Sequence, residues 1–132
     1  VSPRAELALA GIAAGTGLVA DTLFAQAGVL QYASPWPVPG VAPAWIIVMW
    51  MNFALTLNVA LRWLHGRYWL AAVLGVVGGP LAYLAGLRLG AATLAAPAPV
   101  AYTVIAVTWA VAVPLLVWSA AWSDRRWPAT SR

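Results

Sequence analysis

The sequence predicts an all-α fold: an integral membrane bundle of four transmembrane helices in a single domain over residues 1–132, with both termini cytoplasmic. Three observations carry this. Hydrophobic residues make up 64% of the chain and charged residues 8%, whereas soluble domains carry about 25% charged residues, so lipid is the main solvent. The apolar residues fall into four stretches, each long enough for the roughly 20 residues that cross ~30 Å of hydrocarbon. The arginines gather in the segments that join or flank these stretches on one side.

The first span is placed at about residues 6–30. Arg4, the apolar run from Leu7 to Ala20 and Ala25-Gln26-Ala27 have the outline of a signal peptide. Glu6 spoils its basic lead, so the segment is read as a helix that stays in the membrane. Val1, in place of an initiator methionine, points to a chain processed or truncated at its start. Gly11 and Gly15 form a GxxxG pair, a small-residue face on which another helix can pack. Residues 31–43, QYASPWPVPGVAP, hold four prolines and no charge. Proline at that density prevents regular helix, so a loop along the membrane surface is expected, with Tyr32 and Trp36 at headgroup level.

The second span, 44–64, contains Asn52, Thr56 and Asn58. The third, 68–94, is the stretch the others pack around. Gly75, Gly79, Ala82, Gly86 and Gly90 recur every three or four residues and line one side of a helix. Pro80 follows Gly78-Gly79 and predicts a kink, tolerated in a membrane because neighbouring groups re-satisfy the freed backbone. A Pro/Ala turn at 95–99 leads to the fourth span, 100–122, with Tyr102, Thr103, Thr108, Trp109 and Pro114.

Four spans with both ends inside place Arg4, Arg62, Arg67, Arg125, Arg126 and Arg132 on the cytoplasmic side, while the loops after spans one and three carry no Lys or Arg. Of the nine tryptophans, Trp36, Trp45, Trp63, Trp69, Trp122 and Trp127 lie near span ends; Trp50, Trp109 and Trp118 are deeper and need a packing or ligand explanation.

The chemistry is mostly negative. The net charge of +4 is explained by membrane orientation, and no basic run with interleaved aromatics points to nucleic acid. Cysteine is absent, and the single His65 has no nearby carboxylates with which to hold a metal. No nucleophile with a base beside it is found, so no catalytic residue is assigned. Phosphate loops, zinc-protease signatures and dinucleotide fingerprints are absent too. Asp21 is the exception. It lies roughly 21 Å along the first helix, and a charge in hydrocarbon costs at least ~2.5–3.5 kcal/mol, so it calls for a partner. Arg88 is the expected partner, forking onto the carboxylate. Tyr83, one turn deeper, and Gln26 are further candidates, and Asn52 is expected to reach the carbonyls freed at Pro80. The candidate ligand-binding or buried polar cluster is thus Asp21, Gln26, Asn52, Asn58, Tyr83 and Arg88, with Trp50 and Trp109.

The runs GTGLVADTLFAQAGVLQY, PAWIIVMWMNFALTLNVALRWL, GVVGGPLAYLAGLRLGA and TWAVAVPLLVW, from about Gly15 to Trp118, closely resemble a family of bacterial inner-membrane proteins, domain of unknown function 2878. The resemblance implies a multi-pass protein of the bacterial inner membrane and brings no activity with it. It also implies hydrophobic sequence upstream, so that an N-terminal helical hairpin is missing here, and a histidine after Asn58 where this chain has Val59. Size, tryptophan content and the Pro-Trp loop are also similar to the tryptophan-rich sensory protein (translocator) family.

Three function classes follow. The first is a non-catalytic accessory or assembly subunit, its partners being other transmembrane helices of a larger complex or a homo-oligomer. The second is a binding or transport protein for a hydrophobic or amphipathic small molecule, with bound lipid or pigment as the cofactor class. The third is a lipid-modifying enzyme using Asp21 with Asn52 or Asn58. Membrane lipid is a partner in all three.

Overall fold

The computed structural model describes residues 2–130. Four helices make up most of it: α1 (Pro3–Gln26), α2 (Ala44–Val59), α3 (Tyr68–Arg88) and α4 (Ala98–Arg126). Two three-residue strands, β1 (Leu30–Tyr32) and β2 (Ala92–Leu94), follow α1 and α3. They pair antiparallel, with Leu30 opposite Leu94, Gln31 opposite Thr93 and Tyr32 opposite Ala92. Helices α1, α3 and α4 are long and apolar enough to cross a membrane; α2 is a shorter apolar helix. Its 16 residues span about 24 Å. The helix expected over 44–64 therefore stops at Val59 and gives way to a 3-10 turn, Arg62–Leu64.

The spans expected at 6–30 and 68–94 also end early, for one shared reason. Gly28 and Gly90 take positive φ, +70° and +77°, the left-handed conformation that only glycine adopts freely. After α1, Gly28 N–H donates to the Ala25 carbonyl and Val29 N–H to that of Phe24. After α3, Gly90 N–H donates to Leu87 and Ala91 N–H to Gly86. Each is the Schellman closure that ends a helix, and each hands the chain directly to a strand. Residues 30–32 and 92–94, expected within or just beyond helices, instead form the sheet. Helix α3 itself runs unbroken through Pro80.

The sheet defines one end of the bundle. At the other end lie Arg4, Arg62, Arg67, Arg125 and Arg126, where α1 and α3 begin and α2 and α4 finish. Arg132 lies outside the described residues.

The two halves of the chain repeat one another. Moving along by 62 residues, the Asp21–Tyr83 separation, carries the buried Leu9, Ala13, Gly17 and Asp21 of α1 onto the buried Ala71, Gly75, Gly79 and Tyr83 of α3. The same shift carries Gly28 onto Gly90 and β1 onto β2. A constant shift likewise carries Ile46, Trp50, Ala54, Leu57 and Asn58 of α2 onto Ile105, Trp109, Val113, Leu116 and Val117 of α4, again buried in both. Contacts obey the same operation. A side chain on Gly17 would run into Trp50, and one on Gly79 into Trp109. Trp50 stacks on Trp109, and the strand register maps onto itself. The molecule is an internal two-fold of α-β-α units about an axis along the helices.

One seam breaks the symmetry. Helix α1 packs on α2 and α3 on α4, and α1 also packs on α4. Its two-fold counterpart, α2 against α3, is nearly without contact.

Candidate functional site

Asp21 lies on the buried side of α1 and is fully enclosed. Three donors from three other elements converge on it. The Trp50 indole of α2 donates to Oδ2 at 2.7 Å, the Tyr83 hydroxyl of α3 to Oδ1 at 2.6 Å, and the Tyr32 hydroxyl of β1 to Oδ1 as well. This is the surrounding of a carboxylate, an acceptor-only group. Burial, then the Asp21 charge, push the Tyr32 phenol well above its ordinary range, so it stays a donor. Among the described residues the ion pair is Arg62–Asp124, at the opposite end of the bundle, and no cation neutralises Asp21.

Behind these donors lies an aromatic stack. Trp50 and Trp109 lie face to face at 4.4 Å between ring centroids, and Phe53 and Tyr83 meet Trp109 edge-on at 5.4 and 6.2 Å. Glycine makes this possible, because α3 approaches α4 so closely that a methyl on Gly75 would overlap the Trp109 carbonyl. The Trp109 N–H is buried and makes no hydrogen bond of good geometry.

Beside the stack, in the open α2–α3 seam near the sheet, is a cavity of about 310 Å³. Tyr32, Trp50 and Tyr83, the three donors to Asp21, all line it, as do Trp45, Phe53 and Trp109. Gly86 lines it from α3, and a side chain there would meet nothing within 4 Å. Its two-fold counterpart on α1 is Phe24, which is buried with its ring edge-on to Tyr83. The cavity occupies the place where a ring is missing from the second half. Size and lining are those of a small-molecule pocket: apolar, aromatic and concave.

Several expected members of the cluster lie elsewhere. Arg88 is exposed and does not pair with Asp21. Five residues beyond Tyr83, it points about 140° away around the helix. Asn52 is exposed and bonds no carbonyl near Pro80. Two residues from Trp50 is about 200° of helix turn, which puts Asn52 opposite the buried face, and α2 hardly meets α3 in any case. Gln26 is exposed and donates to the Gly40 carbonyl at 2.6 Å, tying down the proline-rich loop. Asn58 is buried, at 1% exposure, but lies eight residues from Trp50 toward the arginine end, and neither of its side-chain polar atoms has a partner. Gly11 and Gly15 face open space, so this GxxxG pair packs on nothing within the chain, whereas Gly75 and Gly79 lie against α4. Ala82 is exposed and Gly90 serves as helix terminator rather than ridge.

Tyr32 escaped sequence reasoning because its role depends on a strand of three residues. The available signal was the repeated order of glycine, two apolar residues, a polar one and an apolar one, with a proline after it, at Gly28 to Pro35 and again at Gly90 to Pro97.

At the arginine end, Arg62 Nη2 lies 2.9 Å from Asp124 Oδ2, close enough for an ion pair although too bent for a hydrogen bond. His65 sits beside them. Burial, and next the Arg62 charge, lower its imidazole below the ordinary histidine range, while Asp124 and the Leu57 carbonyl oppose them.

In comparison with known proteins, a family model described as Protein of unknown function (DUF2878) covers residues 1–115. No curated protein and no solved structure matches the chain, so the similarity to the translocator family finds no support.

Proposed function

The chain belongs to the DUF2878 family, whose description assigns no activity, and from the geometry we propose that it is a membrane-embedded binding protein for a hydrophobic or amphipathic small molecule that enters between α2 and α3. One observation carries this reading. The seam that the internal two-fold would close is instead a cavity walled by aromatic rings and backed by an enclosed aspartate. A lock whose only task was to fix helix positions has no use for an open wall, and filling it with one phenylalanine, as in the other half, would be simple. The reading also supplies a use for deep Trp50 and Trp109. An accessory role in a larger complex would leave the cavity without a purpose.

In this reading α2 also crosses the membrane, its 16 residues supplemented by the turn that follows. The arginine end is cytoplasmic, following the positive-inside tendency, and the membrane is the bacterial inner membrane. Two experiments test it. Gly86→Leu should abolish uptake of lipophilic ligands from the membrane, read by native mass spectrometry of protein extracted in a non-ionic detergent; identical ligand content in wild type and variant would reject the pocket. Single cysteines at Arg67 and Arg125 should be labelled from the cytoplasmic side only, and labelling from opposite sides would reject the topology.

A further inference from the structure

We propose that the ligand of this cavity is a lipophilic cation, an amphiphile bearing a protonated amine or a quaternary ammonium, whose charged head sits among Trp50, Phe53, Tyr83 and Trp109. The proposal rests on the reading of the α2–α3 seam as a binding site and adds the chemical class of what fills it.

The argument begins with the side-chain donors of the wall. The hydroxyls of Tyr32 and Tyr83 and the indole N–H of Trp50 are all engaged by Asp21. The Trp109 N–H is buried, inaccessible even to a water-sized contact. Apart from Trp45, whose N–H makes none of these bonds, the aromatic lining therefore offers a ligand rings and phenol oxygen lone pairs and no free indole or phenol hydrogen. A carboxylate or phosphate would find at most the Trp45 N–H as a donor among these groups and would lie beside a negative charge. A cation fits better, because the face of an aromatic ring carries negative potential and attracts cations, although Trp50 and Trp109 give one face each to their mutual stack.

Asp21 sharpens this preference. It is one hydrogen bond behind the wall, and no cation of the described residues neutralises it. Through the low-dielectric interior its field reaches the cavity little screened. Donation by Tyr32, Tyr83 and Trp50 to the carboxylate also shifts electron density into their rings and raises the negative potential of their faces. An enclosed carboxylate whose hydrogen bonds are satisfied and whose charge is not is complementary to a charge that arrives with the ligand. The cavity, about 310 Å³ and partly open between the helices, accommodates a substituted ammonium with part of its apolar tail.

The test compares two molecules of the same shape, phenyltrimethylammonium and its neutral carbon isostere tert-butylbenzene, by calorimetric titration of the full chain in a non-ionic detergent, with Gly86→Leu as the blocked reference. The expected result is that the cation binds wild type at least about tenfold more tightly than the isostere and that Asp21→Asn removes the preference. If Asp21→Asn fails to fold, Phe53→Leu, which removes one ring at the cavity edge, should weaken the cation several-fold and leave the isostere nearly unchanged. Equal affinities in wild type, with both ligands blocked by Gly86→Leu, overturn the cation assignment and leave the binding site standing. Affinities no greater than those of Gly86→Leu for both molecules overturn both.

Discussion

Gly86 stands where the internal two-fold demands the counterpart of Phe24, and this single difference separates a filled interior from an open one. On α1 the phenylalanine ring is buried against Tyr83; on α3 the same position ends at a hydrogen, and the seam beside it holds the cavity. The chain has room for a side chain there and does not use it.

Filling that room should therefore cost nothing. Gly86→Leu replaces a poor helix former by a good one, a gain of roughly 0.5–1 kcal/mol, and its Cβ meets no neighbour within 4 Å. Thermal unfolding in detergent should occur at an unchanged or higher temperature; a clear drop would mean that the seam is closed in solution.

Gly75→Ala should do the opposite. Its methyl would overlap the Trp109 carbonyl, a backbone atom that cannot swing aside, and overpacking of this kind costs about 1–3 kcal/mol. Gly11→Ala, facing open space, should be neutral or stabilising by up to ~1 kcal/mol. Equal unfolding temperatures for the two variants would refute the packing described for α3 and α4.

The enclosed carboxylate makes a coupled prediction. Tyr83→Phe removes one donor to Asp21 and should cost about 1–2 kcal/mol. Asp21→Asn leaves three donors facing an amide and should cost more. In the double variant the losses should fall short of additive, because both substitutions break the same bond; strict additivity in a thermal-melt cycle would show that the two side chains act independently.

His65 sets an acid limit on stability. Its imidazole is held below the ordinary histidine range by burial and by Arg62, so the unfolded chain takes up this proton more readily than the folded one. The stability it contributes is complete above the unfolded value near 6.5 and declines as pH falls through the folded one. Unfolding temperature should drop as pH falls below about 6.5, and His65→Gln should flatten that drop. An equally steep decline in the variant would assign it to other groups.

Much of this architecture was legible in the sequence because it depends on composition and length. Apolar stretches long enough for helices, arginines at one end and an aspartate, Asp21, within an apolar stretch are visible without coordinates. The partners of that aspartate were only half legible. Tyr83 follows from its depth on a facing helix, whereas charge complementarity alone points to Arg88, and the angular position of a residue five steps further along the helix turns it away. Tyr32 depends on strands too short to carry a pattern. The repeat was hidden by divergence: Gly17 and Gly79, or Gly28 and Gly90, survive as identities, while Asp21 and Tyr83 share a place and nothing in their chemistry.

That last pair has a consequence for how such a molecule can be made. A residue beside a two-fold axis faces its own counterpart, so two identical units would set aspartate against aspartate, which repel, or tyrosine against tyrosine, with no anion to receive them. Neither unit alone, paired with itself, can build this centre. Two unlike units are thus a chemical requirement of having one carboxylate beside the axis, and a polypeptide that carries both meets it.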